Sequence, residues 1–231
     1  ETAPSDAFHS SLDVDPSVRH LALAVSFHLK SDRENALKAL DAAENSGGDP
    51  AQIHAARGHI QFEMENFEDS ARSYSILCEI DPQNPEARFI LGLCFHNLGR
   101  QAEALENFKM VLAQNSKHLK ARLAAGTCLL HLNLHKEALE AFLAAQTLAP
   151  ESEAALFGEA VALQMGWDFD DAAELYRRIL ERNPARSRYL LGARLTHPDL
   201  SLFQIVEGLR YAFPRAMKRI EKKLPRIVAL H

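Results

Sequence analysis

Apolar positions along the chain recur three and four residues apart in short runs, and turn residues interrupt each run. That is the spacing of helices that bury one stripe. Between Pro85 and His118, Phe89, Leu91, Leu93, Cys94 and Phe95 precede a break around Gly99, after which Ala104, Leu105, Phe108, Val111 and Leu112 resume at helical spacing. The pattern predicts two short helices joined by a tight turn. Pro85 suits the first helical turn, where its missing N–H has no intrahelical acceptor to lose. Gly99 relieves the backbone where the first helix stops.

The same pattern returns every 34 residues: Gly58, Gly92 and Gly126 are each 34 apart, and the next step is Ala160. Small residues at one register mean close helix approach. A second small column runs Ser70, Ala104, Ala138 and Ala172; an aromatic column runs Tyr74, Phe108, Phe142 and Tyr176; Pro82, Ser116, Pro150 and Pro184 mark the connections. Stepping back gives Ala24, Ala36 and Leu40 before a Gly47-Gly48-Asp49-Pro50 turn, a degenerate first unit. The frame is therefore five units, 17–50, 51–84, 85–118, 119–152 and 153–186, with Asn133 and Gly166 at the later hairpin turns. Residues 1–16 read as a flexible leader. Residues 187–231 read as capping helices that end in a basic amphipathic element. Each hairpin is too short to bury both faces alone, so neighbours complete its core.

These columns resemble the tetratricopeptide repeat family. The match is best in 85–118, through Leu91-Gly92, Phe95, Gly99, Ala104, Phe108 and Val111, whereas Arg57 and Glu159 depart from it in the outer units. The resemblance implies an all-α fold, a right-handed alpha-alpha superhelix of stacked helix hairpins, with the first helices lining an inner surface. It also implies a protein-interaction scaffold that binds a peptide or helix of a partner in the concave groove. By column, the lining would comprise Leu21, Ala55, Phe89, Leu123 and Phe157; Val25, His59, Leu93, Thr127 and Val161; His28, Phe62, His96 and Leu130; and Asn97 and His131, in whose column Glu63 also falls. Apolar and imidazole side chains dominate this lining. Ala55, Phe89 and Leu123 stand where a carboxylate-gripping groove favours a base, which argues against capture of a C-terminal carboxylate and for apolar anchors.

Composition narrows the alternatives. Hydrophobic residues make up 47% and charged residues 25% of 231, the balance of a folded chain. The net charge is −5, yet from 208 to 231 seven bases, Arg210, Arg215, Lys218, Arg219, Lys222, Lys223 and Arg226, stand against Glu221 alone. The acidic remainder disfavours nucleic acid, while the basic end is read first as a cap and secondly as a contact for an anionic membrane surface. Self-association, through Phe8 docking into a groove, and a regulatory segment of a larger enzyme system are the competing readings. No run is long enough for a spanning helix, no secretory signal is visible, and three cysteines without zinc spacing suggest free thiols in a reducing compartment. A cytoplasmic location is the expectation. The eleven histidines include His131 and His135 at i,i+4, but no HExxH, G-x-S-x-G or P-loop pattern occurs. No enzymatic activity, catalytic residue, cofactor or metal is therefore expected. Trp167 and Phe169, beside Gly166, form an aromatic pair suited either to a hot spot or to packing across the hairpin.

Overall fold

The structure, a computed structural model of the chain, describes residues 15–182. The predicted cap at 187–231 and nearly all of the predicted leader lie outside the described residues. The chain divides into two compact units at the Leu98/Gly99 junction. The first holds α1 (Pro16–Leu29), α2 (Arg33–Asn45), α3 (Pro50–Glu63), α4 (Phe67–Ile80) and α5 (Pro85–Asn97). The second holds α6 (Gln101–Gln114), α7 (Leu119–His131), α8 (His135–Leu148), α9 (Glu153–Met165) and α10 (Phe169–Arg182). The described residues are all-α, as expected, and in each unit consecutive helices pack as stacked hairpins.

Local chemistry sets the helix starts. Asp15, Asp32, Asp49, Asn84 and Ser152 each accept a hydrogen bond from a first-turn N–H, which satisfies a donor that has no intrahelical partner. His118 does the same for α7, its Nδ1 accepting from the Ala121 N–H at 3.1 Å. One of the eleven histidines is thereby a cap.

Between the two helices of each repeat lies one left-handed residue. Ser31, Glu65, Gly99, Asn133 and Trp167 all have φ between 59° and 76° and sit 34 residues apart. At four of them the following N–H reaches back five residues and the residue's own N–H three, as in Ser31 to His28 and Asp32 to Phe27. This pairing is the Schellman arrangement. In the fifth hairpin the structure corrects the expected turn residue: Gly166 is an ordinary C-cap at φ −79°, and Trp167 takes the strained conformation.

Packing follows the predicted columns. A Cβ built on Gly58 would lie 2.8 Å from the Tyr74 ring, and one on Gly126 would lie 2.7 Å from Phe142. Gly158, which belongs to none of the predicted columns, approaches Phe142 more closely still, so this ring lies between α7 and α9. In the first unit a polar chain crosses three helices: Cys94 Sγ–H donates to Ser70 Oγ at 3.2 Å, and the Ser70 hydroxyl donates to the Gly58 carbonyl at 2.8 Å.

The two departures from the repeat pattern have one explanation. Arg57 of α3 pairs with Asp41 and Glu44 of α2 at 2.9 and 2.6 Å, and holds the Glu44 carboxyl below its usual range. Glu159 of α9 accepts from Gln146 of α8. Each unexpected polar residue thus meets the residue 13 positions earlier, on the preceding hairpin. At the same register Leu91 and Cys78 share one apolar cluster.

Two outcomes follow. Gly158→Ala should cost about 1–3 kcal/mol, because the methyl displaces a buried ring, and urea unfolding would detect it as a lowered midpoint. Glu65→Gly should gain about 0.5–1 kcal/mol by relieving the left-handed conformation, while Gly99→Ala should lose a similar amount; equal midpoints for the pair would contradict this account.

Candidate functional site

The predicted lining residues of the first unit lie on α1, α3 and α5. Leu21, Val25 and His28 come from α1, Ala55, His59 and Phe62 from α3, and Phe89, Leu93, His96 and Asn97 from α5. Four of them meet: Leu21, Val25, His28 and His59 border a cavity of about 400 Å³ between α1 and α3, with Val18, Ala56 and Ile60 on its walls and Leu40 of α2 contributing. Val25 is 56% exposed and His59 is also open to solvent. Ala55 and Phe62 pack instead on the α4/α5 core, Phe62 edge-on to Phe67 at 5.3 Å. Asn97 bonds the Leu93 carbonyl, and Leu93 and His96 are half-buried. Phe89 is buried at 7% exposure and offers a partner almost no surface.

In the second unit Leu123, Thr127, Leu130 and His131 lie on α7, and Phe157 and Val161 on α9. Leu130 and Val161, at 1% and 0% exposure, are core residues in one cluster, against which Leu123 and Phe157 pack. Thr127 spends its hydroxyl on the Leu123 carbonyl. Phe89, Leu130 and Val161 are therefore buried where the column pattern expects lining. The reason is that one helical face serves both the lining and the neighbouring hairpin, and spacing does not separate the two. The predicted His131/His135 pair also resolves differently: His131 ends α7 and His135 begins α8, so a turn and not a helical face lies between them.

Column spacing places His28 and His59 on one wall, and beside the cavity the structure brings Glu63 to them. His28 at the end of α1 and His59 of α3 stand edge to face at 5.6 Å, and both approach Glu63 at the end of α3. His59 Nε2 is 3.4 Å from Glu63 Oε1, His28 Nδ1 is 3.9 Å from Oε2, and Arg33 Nε donates to Oε2 at 3.3 Å. Only the hairpin register, which sets Phe27-His28 against α3, brings these residues together. In the second unit Trp167 is 54% exposed and lies edge-on to Phe169 at 5.6 Å, so the predicted pair forms across the start of α10.

Residues 66–145 match the family model of anaphase-promoting complex, cyclosome, subunit 3, and residues 169–231 match the C-terminal domain of glutathione S-transferase. No curated protein matches the chain in sequence. Among solved structures, a tetratricopeptide repeat protein from Parabacteroides merdae has a TM-score of 0.75 and 19% identity over 91% of this chain and 79% of its own. YrrB, a TPR protein with an unusual peptide-binding site, gives 0.69 and 18% over 79% and 94%, and MamA gives 0.69 and 17% over 81% and 98%. At these identities the likeness establishes the fold, and the resemblance read from the columns holds at that level. Among the described residues no helix is long and apolar enough to cross a membrane.

The thiols are core groups. Cys78, Cys94 and Cys128 are buried and in no disulfide, and burial pushes the Cys128 thiol up to about 12 from an ordinary 9.0. Burial raises the Tyr74 and Tyr176 hydroxyls as well, and Tyr176 donates to Gln164 Oε1 at 2.7 Å. A raised acid keeps its proton in the folded chain after the unfolded chain has released it. The stability it contributes is complete below pH 9.0 and declines as pH climbs toward 12. Urea midpoints should accordingly fall between about pH 9 and 11, less steeply in Cys128→Ala; a flat profile would show that these groups stay protonated in neither state preferentially.

Proposed function

We propose that the chain is a protein-interaction scaffold that holds a peptide segment of a partner protein, extended or helical, and that the α1–α3 cavity takes the segment's apolar anchor. One observation carries this reading: Leu21, Val25, His28 and His59, all expected lining residues, border a single apolar cavity that opens at exposed Val25. A cavity of this size accepts one large aliphatic or aromatic side chain, and desolvating such an anchor supplies most of the energy of a small interface. The likeness in fold to YrrB, which has a peptide-binding site, supports the same class of ligand. Half-buried Leu93 and His96 on α5 extend the proposed surface within the first unit. The remaining predicted residues, Leu123, Thr127, His131 and Phe157, lie in the second unit and stay a separate part of the proposal, to be tested on that unit's own surface. A cytoplasmic location is part of it, supported by three buried thiols that form no disulfide.

Selection of displayed peptides on the full chain tests the proposal. Selected sequences should carry an apolar anchor, and Val25→Asp should weaken them by at least about tenfold, since it places a charge at the cavity mouth. Leu143→Asp, an exposed aliphatic position on α8, should leave affinity unchanged. Equal binding by wild type and Val25→Asp would reject the cavity. Sedimentation that shows a stable oligomer, disrupted by Val25→Asp, would assign the surface to a second copy instead.

A further inference from the structure

We propose that His28, His59 and Glu63 form a binding site for a divalent transition-metal ion of the zinc class. One ligand atom from each residue lies within 4.8 Å of the other two. Donors about 2.0–2.1 Å from a tetrahedral ion lie about 3.4 Å from one another. The His59 Nε2 to Glu63 Oε1 distance is 3.4 Å and the His28 Nδ1 to Oε2 distance 3.9 Å, so small side-chain rotations complete the triangle.

The placement is specific to the fold. His59 and Glu63 are four apart on α3, one turn along the same face, while His28 arrives from the preceding hairpin. A bound ion would therefore join the α1/α2 hairpin to the α3/α4 hairpin. Two imidazoles with one carboxylate suit zinc, cobalt or nickel, whereas calcium and magnesium require more oxygen donors.

A second observation points to a ligand. His28 Nδ1 is buried and has no hydrogen-bond partner, its nearest carboxylate oxygen lying at 3.9 Å. A buried imidazole nitrogen without a partner costs desolvation energy, and a metal bond would satisfy it. Arg33 does not block the triangle: its guanidinium holds Oε2, which leaves Oε1 toward His59 and orients the carboxylate as an outer partner does. Its charge nevertheless opposes a cation, and that sets the sign expected of its removal. Three protein ligands leave a coordination position free, and His28 and His59 also border the cavity of about 400 Å³.

The test uses the full chain without a histidine tag. Cobalt(II) titration should give visible d–d bands that saturate at one ion per chain, and zinc(II) should displace the cobalt and raise the thermal midpoint. His59→Ala and Glu63→Gln should each weaken binding by at least about tenfold, Arg33→Gln should strengthen it, and His20→Ala should leave it unchanged. Glu63→Gln alters an exposed, nearly isosteric group, and unchanged far-UV circular dichroism would confirm that it folds. Absence of saturable binding at about millimolar zinc overturns the proposal, as does binding that survives both His59→Ala and Glu63→Gln. Either result would leave His28 and His59 as neighbours of Glu63 only and would not touch the peptide reading, whose readout contains no metal.

Discussion

The contact on which the packing depends is an aromatic ring laid on a glycine. Tyr74 lies on Gly58, and Phe142 fills the space left by both Gly126 and Gly158. A ring fills the space across a hairpin when the facing helix has no side chain there, or no more than a methyl, as where Ala160 packs with Tyr176. The small and aromatic columns are thus two halves of one constraint, and neither is useful alone. Because Phe142 touches α7 and α9, one ring couples its own hairpin to the next. That coupling lets helices of 13 or 14 residues persist, although isolated helices of this length are marginal in water.

Between hairpins the contact is less particular about chemistry. At one register Leu91 and Cys78 bury apolar surface together, while Arg57 meets Asp41 and Glu44, and Glu159 meets Gln146. Geometry is fixed there and polarity is exchangeable, provided both partners change. This is why two residues that break the repeat pattern leave the hairpins around them intact. Arg57 is only 14% exposed at its side chain, so its partners offset a real desolvation cost.

The fold was legible because its constraints act at fixed intervals. A period of 34 with small, aromatic and turn columns determines hairpin number and helix length before any contact is known. The left-handed turn residues were only partly legible. Gly99 and Asn133 announce themselves, but Ser31, Glu65 and Trp167 accept the same φ because the Schellman hydrogen bonds outweigh a cost of about 1–2 kcal/mol. The candidate site was legible by column and not by depth. Val25 and Val161 occupy the same register, yet one is 56% exposed and the other fully buried. Spacing gives direction on a helix; burial depends on what lies beyond it. Glu63 was legible only as a member of its column, since its meeting with His28 depends on how two hairpins sit together, which no local pattern encodes.

In the first unit Val18, Val25 and Leu29 are exposed aliphatic positions on α1. Here the seam between α1 and α3 carries aliphatic walls, then two imidazoles and a carboxylate at one edge. Single exposed aliphatic side chains are ordinary on a helix surface. The imidazoles are different, because packing at that seam would favour apolar side chains, and a buried nitrogen at His28 left without a partner makes the hairpin junction less stable. The polar edge is thus the part of this surface that packing alone leaves unexplained.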